Sequence, residues 1–304
     1  MDARPPILIH LHIPKNAGTT LSRMIKRRLL LRPPTNILHH SQTLGLYNVP
    51  DYRRRLDAIN ALPERGQRRI RFFEAHAAWG LHESLPGAAR YVTMLREPTN
   101  RVLSVFSYRK ELGRIPADMS LEAFVAREDV HRVWWVDNAH VRYLAGEHGH
   151  ILDVPPGGCQ RQHLELAKTR LVEGIGFFGL VERFDESLCL LFRWLNWKPT
   201  HYLTGNVTRR RLHMDELDEP TRDMIRELNV LDTELYAFAC ELFEQRVRDA
   251  GASFADEVAA YGQSNARANR LIRPLALPLF NAWHKLARRG PRRGVDRQAH
   301  QDAR

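Results

Sequence analysis

Residues 7 to 21 read ILIHLHIPKNAGTTL, and the fold class follows from the way this stretch changes period. Ile7, Ile9, Leu11 and Ile13 alternate at the two-residue spacing of a buried strand, Pro14 ends the run, and Gly18-Thr19-Thr20 opens a helical pattern. A strand that enters a helix through a short loop makes an anion site. The first helical N–H groups have no intrahelical partner and the helix dipole places partial positive charge there, so backbone alone can hold a phosphate. Lys15 adds a full charge, and Thr19 and Thr20 add hydroxyl donors. His12 lies on the strand face opposite Ile9 and Leu11, where a hydrogen-bonded structural role is expected, with His10 behind it.

Working outward, Leu21 to Leu31 has helical spacing that Arg32-Pro33-Pro34 stops. Thr35 to Gln67 reads as loop with a helix near Tyr52 to Leu62, a place for a substrate-facing insertion. Arg71 to Ala75 is a short strand that delivers His76 at its end. Ala89 to Leu95 is a stronger strand, followed by Arg96-Glu97 and by Pro98, which suits the first turn of a helix running to about Leu112. Leu121 to Arg127, Asp137 to Leu144 and Gln162 to Val172 read as helices, with a Pro- and Gly-rich loop at Ile151 to Gly158. Phe177 to Val181 is another buried strand and Arg183 to Trp194 another helix. Pro220 to Arg248 is the longest helical pattern, with Ile225, Leu228, Leu231, Leu235, Phe238 and Leu242 on one face. Strands alternating with helices predict an α/β layer fold with a mostly parallel sheet.

The composition bounds the function. Hydrophobic residues at 43% and charged residues at 27% are ordinary for a globular chain of 304 residues. The net charge of +11 is uneven: Ser264 to Arg304 holds ten Arg or Lys against two Asp, which is +8, so the first 263 residues carry only +3. One domain over residues 1–262 with a basic extension over 263–304, partly disordered, is the expected organisation. Pro274 and Pro278 are expected to interrupt any single helix in that tail, which leaves an anionic lipid surface, an acidic partner or a solvated end as its readings. Cys159, Cys189 and Cys240 are widely spaced, fitting buried free thiols in place of disulfides or a zinc site. No apolar run reaches the roughly 18 residues of a membrane span, and no signal-peptide pattern precedes the first strand, so a cytoplasmic location is expected.

The first loop differs from the GxxxxGK[ST] loop of nucleotide hydrolases. Lys15 precedes Gly18, Thr19 stands where that lysine would be, and no Asp-ended strand offers to hold Mg²⁺. The segment PKNAGTT, taken with YVTMLREPTNRVLSVFSY at Tyr91 to Tyr108, resembles the sulfotransferases that use 3′-phosphoadenosine 5′-phosphosulfate. It is most similar to the carbohydrate type that includes heparan sulfate 2-O- and 6-O-sulfotransferases and bacterial relatives. EAHAAWGLHESLPG, DNAHVRYLAG, GLVERFDESL and NVLDTELY carry the resemblance from Ile7 to about Phe243.

The resemblance implies a P-loop-like three-layer fold, a central sheet flanked by helices, and no metal. It assigns the loop Lys15, Asn16, Ala17, Gly18, Thr19 and Thr20 to the 5′-phosphosulfate, and Arg96 and Ser104 to the 3′-phosphate. Arg96 at a strand end fits independently, because open α/β sheets bind ligands at that edge and a guanidinium pairs well with a dianion. Arg101, Ser104 and Tyr108 share one face of the following helix. An ion pair with Glu97 or Asp185 is the structural alternative for Arg96. His76 corresponds to the family's base, with Ala75 where that family has Gly, and Lys15 to a group that neutralises the leaving oxygen. The acceptor implied is a carbohydrate or a glycolipid. Asn138, Arg142 and Tyr143 are candidates for its cleft, and Arg209, Arg210 and Arg211 for contact with nucleotide or acceptor. The competing readings are a phosphotransferase with an unusual loop and a non-catalytic anion- or nucleic-acid-binding protein.

Overall fold

The computed structural model describes residues 6–30, 57, 60–126, 136–203, 212 and 214–288. Four strands form one sheet: β1 (Ile7–Leu11), β2 (Phe72–Ala75), β3 (Ala89–Leu95) and β4 (Phe177–Leu180). Their order is β2-β1-β3-β4, every pairing is parallel, and the register sets Leu11 beside Ala75 and His10 beside Val92. A parallel sheet covered on both faces needs near-continuous apolar strands. All five residues of β1 and all four of β4 are accordingly buried.

Helix α1 (Gly18–Leu30) follows β1, and a short α2 (Glu64–Gln67) precedes β2. After β3 come α3 (Pro98–Glu111) and α4 (Leu121–Val125), then α5 (Ala139–Ala145) and α6 (Arg161–Thr169). After β4 come α7 (Phe184–Trp194), α8 (Glu219–Leu228), α9 (Val230–Asp249) and α10 (Phe254–Arg288). The chain leaves β1 toward β2 and leaves β3 toward β4, in opposite directions across the sheet. Right-handed crossovers therefore open a crevice at the β1/β3 boundary, the place where such sheets bind ligands.

The expected α/β fold with a parallel sheet is observed, and β3 and the start of α3 fall where the sequence put them. Two expectations change. The single pattern at Pro220 to Arg248 is two helices, because Asn229 breaks it: its side chain donates to the Ile225 carbonyl at 2.8 Å and accepts from the Asn138 N–H at 3.3 Å. Ile225 then packs into a small second core with Val102, Phe106 and Phe124, while Leu235, Ala239 and Phe243 pack into the main one. In the tail, α10 continues through Pro274 and Pro278 to Arg288. A lone proline removes one backbone bond and bends a helix, and the Leu-, Ala- and Arg-rich flanks here favour its continuation.

All three cysteines are free, but only Cys189 is buried; Cys159 and Cys240 are half-buried. Most of the helix expected near Tyr52 to Leu62 lies outside the described residues. Among the described residues no helix is long and apolar enough to cross a membrane.

Candidate active site

The loop between β1 and α1 alternates the sign of its backbone. Lys15 has φ 69° and Ala17 has φ 55°, whereas Asn16 and Gly18 keep negative φ. Non-glycine residues on the left-handed side cost about 1–2 kcal/mol each, and such strain collects at ligand-binding sites. The alternation turns successive N–H groups to one side, a nest for an anion. The Ala17 carbonyl starts the helix by accepting from Thr20 N at 3.0 Å and Leu21 N at 3.2 Å.

Neighbouring strand ends hold the strained loop in place. Arg96, just past β3 and 5% exposed, donates from Nη1 to the Lys15 carbonyl at 3.0 Å. Its Nε lies 3.9 Å from the Glu182 carboxylate, an acid that the sequence does not single out. Glu97 instead caps α3, accepting from Thr99 N at 2.9 Å and Asn100 N at 2.6 Å. The Lys15 ammonium stands 3.7 Å over the Tyr108 ring, which joins α3 to the loop. Ser104 is 8% exposed on the same helix.

Asn16 turns its side chain inward. Its Nδ2 donates to the Met94 carbonyl at 2.8 Å and lies 2.8 Å from His140 Nε2, leaving its backbone for a ligand. His140 Nδ1 is in turn 2.9 Å from Asp232, so the ring carries its proton on Nδ1 and accepts from Asn16 at Nε2. Asp232 also accepts from the His140 and Val141 N–H groups, and its own N–H donates to Asn138 Oδ1. Burial opposes its charge, but His140 and Arg101 hold it below the usual carboxylate range. Arg101 itself is fully buried against Asp232 and Tyr143, and so serves the interior.

Three histidines and one acid lie behind the loop. His76, immediately after β2, donates from Nδ1 to the His12 carbonyl at 2.8 Å, so the lone pair of the neutral ring is at Nε2. The His12 ring lies between the rings of His10 and His76, with centroids 4.8 Å and 4.1 Å away. Glu74 accepts from His12 Nδ1 at 3.0 Å, from Ser22 Oγ at 2.6 Å and from Lys26 Nζ at 2.5 Å. His10 completes the chain through Ser22 Oγ at 2.6 Å. Burial and His12 push His76 down to about 3, and the same causes hold His10 well below its ordinary value. Burial alone would raise Glu74, but the His12 hydrogen bond and the charges of His12, His10 and Lys26 hold it far below the carboxylate range. His10, His12 and Glu74 bring potential ligand atoms within 4.8 Å of one another, yet Glu74 is already answered by the Lys26 ammonium.

His12 also explains Gly18. A Cβ on Gly18 would meet His12 Cδ2 at 2.2 Å and Nε2 at 2.3 Å, so the ring lies directly on the glycine. Gly18→Ala is expected to cost about 1–3 kcal/mol by overpacking, read as a lowered urea midpoint.

Two of the acceptor-cleft candidates are corrected. Arg142 is 0% exposed and donates to Asp137 and to the Leu152, Val154 and Pro155 carbonyls, which fixes the Pro-rich loop; Tyr143 is 1% exposed in the core. Asn138 is 7% exposed and bonds Asp137 and Asp232. Satisfying a buried guanidinium takes several carbonyls, and the helical pattern alone does not reveal them. Arg209, Arg210 and Arg211 lie outside the described residues. Glu74, His140 and Asp232, which brace the loop and His12, are not singled out by the sequence; the two-residue spacing of Glu74 and His76 is a signal for the first.

The strained loop, an arginine just past the next strand and a histidine just past the strand on the other side meet at the carboxyl edge of a parallel sheet in an α/β protein. Within it, residues 67–273, more than half of the chain, match the model of the galactose-3-O-sulfotransferase family, and the chain belongs to that family. It is 27% identical to human heparan-sulfate 6-O-sulfotransferase 1 over 294 residues, covering 79% of this chain and 66% of that protein. It is 29% identical to bovine galactose-3-O-sulfotransferase 3 over 189 residues, covering 56% and 42%, and 30% identical to human heparan-sulfate 6-O-sulfotransferase 3 over 189 residues, covering 51% and 38%. The chain thus spans less than two thirds of the length of these relatives.

Proposed function

We propose that this chain transfers a sulfuryl group from 3′-phosphoadenosine 5′-phosphosulfate to a hydroxyl of a carbohydrate acceptor. The observation that carries the reading is the Arg96 bond to the Lys15 carbonyl, which couples two cationic grips contributed by adjacent strands. Two grips suit a ligand with phosphate at both ends of an adenosine. The Lys15 to Thr20 backbone and the Lys15 charge receive the 5′ end, and Arg96 with Ser104 the 3′ end. Neighbouring β2 supplies His76. Its Nε2 takes the proton of the acceptor hydroxyl as that oxygen bonds to sulfur, and the bond from sulfur to the bridging phosphate oxygen breaks. Lys15 neutralises the charge left on that oxygen, an effect worth most in a site that excludes water.

Calorimetry tests the donor assignment. Binding of 3′,5′-adenosine bisphosphate without Mg²⁺ is expected, with ATP–Mg²⁺ weaker by about tenfold or more, since one missing charge-assisted contact costs about 1.5–3 kcal/mol. Tighter binding of ATP–Mg²⁺ would overturn it. Transfer of labelled sulfate to a panel of galactose-terminated and heparan-type glycans and glycolipids then identifies the acceptor.

A further inference from the structure

His76 is held by something more than its own strand. Its Nδ1 is anchored on the His12 carbonyl at 2.8 Å and its ring packs on the His12 ring at 4.1 Å. His12 is in turn fixed by Glu74, 3.0 Å from its Nδ1, and by Gly18, which leaves room for the ring. Glu74, on β2, is 8% exposed and has three donors: His12 after β1, and Ser22 and Lys26 one turn apart on α1. A buried carboxylate with this many donors is ionised and immobile. The charged and titratable groups around the stack are His10 and His12 from β1 and its end, Lys26 from α1 and Glu74 from β2.

We propose that Glu74, acting through His12, is a positioning residue for His76: it fixes the His12 ring and carbonyl that orient His76, and its negative charge offsets the proton His76 takes from the acceptor. The inference rests on the reading of His76 as the base. It explains why a histidine stack surrounds an ionised acid in place of an apolar strand end. The rings are oriented by their neighbours, and the fixed anion Glu74 lies on β2 two residues before His76, which follows the end of that strand and is joined to Glu74 through His12. A proton on His76 brings a positive charge toward Glu74 without any chain movement, and electrostatics arranged beforehand are what lower a barrier. When the proton is returned to solvent the network is unchanged, so no net charge accumulates over a turnover.

The test uses the full chain carrying Glu74→Gln, Glu74→Asp and Ser22→Ala. A carboxylate that orients a catalytic histidine directly is worth about 10⁴-fold. Acting through one intervening ring, Glu74→Gln is expected to lower kcat by about 10- to 100-fold, with KM for 3′-phosphoadenosine 5′-phosphosulfate and Kd for 3′,5′-adenosine bisphosphate within about threefold of wild type. Glu74→Asp, which keeps the charge, is expected to recover part of the loss. Histidine ¹⁵N spectra supply a readout independent of transfer: wild-type His76 shows a single tautomer protonated at Nδ1, and Glu74→Gln shows a mixture. Wild-type kcat together with an unchanged His76 spectrum overturns the proposal. If Glu74→Gln no longer binds the bisphosphate, Ser22→Ala decides, since it removes one donor to Glu74 and leaves the charge. A shifted tautomer with lowered kcat then supports the inference, and neither change refutes it. A His76→Ala protein that retains full transfer while Glu74→Gln still alters the His76 tautomer refutes the base assignment and leaves the positioning contact standing.

Discussion

His76→Ala is expected to lower sulfuryl transfer by about 10²- to 10⁴-fold, the range that a positioned general base contributes. Binding of 3′,5′-adenosine bisphosphate is expected to stay within about threefold of wild type, because the proposed phosphate grips are on the loop and on Arg96. The measurement is labelled-sulfate transfer beside calorimetry on the same protein. Full activity in the variant would remove His76 from the mechanism.

The pH dependence follows from the same ring. Burial and His12 push His76 down to about 3, so it is neutral and able to accept a proton across the physiological range. The acid limb of kcat/KM for the free enzyme is therefore expected well below the ordinary histidine value of about 6.5. Stability is expected to move with pH in a definite sense. In the unfolded chain His76 and His10 protonate near about 6.5, and in the folded chain only far below it. Between those values the unfolded state binds more protons, so stability falls as pH drops from about 6.5 toward about 3. Glu74 and Asp232, whose carboxyls are held down by their donors, act in the same direction below about 4. Urea midpoints at pH 7 and pH 5 would show it.

Asp232→Ala is expected to cost about 3–5 kcal/mol, the loss found when one partner of a buried charged cluster is removed. Asp232 is 0% exposed and accepts from two backbone N–H groups at the start of α5. Removing it leaves those donors, His140 Nδ1 and the buried Arg101 without their acid. The effect is expected to reach the phosphate loop, because His140 Nε2 is the acceptor that holds Asn16. A variant stable enough to purify should bind 3′,5′-adenosine bisphosphate more weakly by about tenfold, as one charge-assisted grip loosens. Unchanged stability would show that Asp232 is dispensable to the cluster.

Both effects depend on contacts between residues far apart in the chain. His12 and Glu74 are 62 positions apart, His140 and Asp232 are 92, and Asn16 and His140 are 124. Two-residue alternation, a local property of a strand, places His12 near the loop, and its hydrogen bond to Glu74 fits the structural role expected there. The same local rules put Arg96 at a strand end and Pro98 in the first turn of its helix. The resemblance offered Arg142 and Tyr143 for the acceptor cleft, yet Arg142 is buried against the Pro-rich loop and Tyr143 in the core. The local rules also ran α8 and α9 together, since apolar periodicity continues through Asn229 while its side chain stops the helix.

The sequence by itself determined the strands, their alternation with helices, the strand-loop-helix turn at Pro14 to Gly18 and the residues that stand at strand ends. Each of these depends on neighbours a few positions away, and side-chain period, proline and glycine act at that range. Only the tertiary structure decided that Asn16 faces inward, that Glu74 lies behind the histidines, and that Asp232 braces the loop from α9. Charges in a low-dielectric interior must find partners wherever the packed chain brings them, and that pairing is set by the assembled sheet and helices, so no local pattern encodes it.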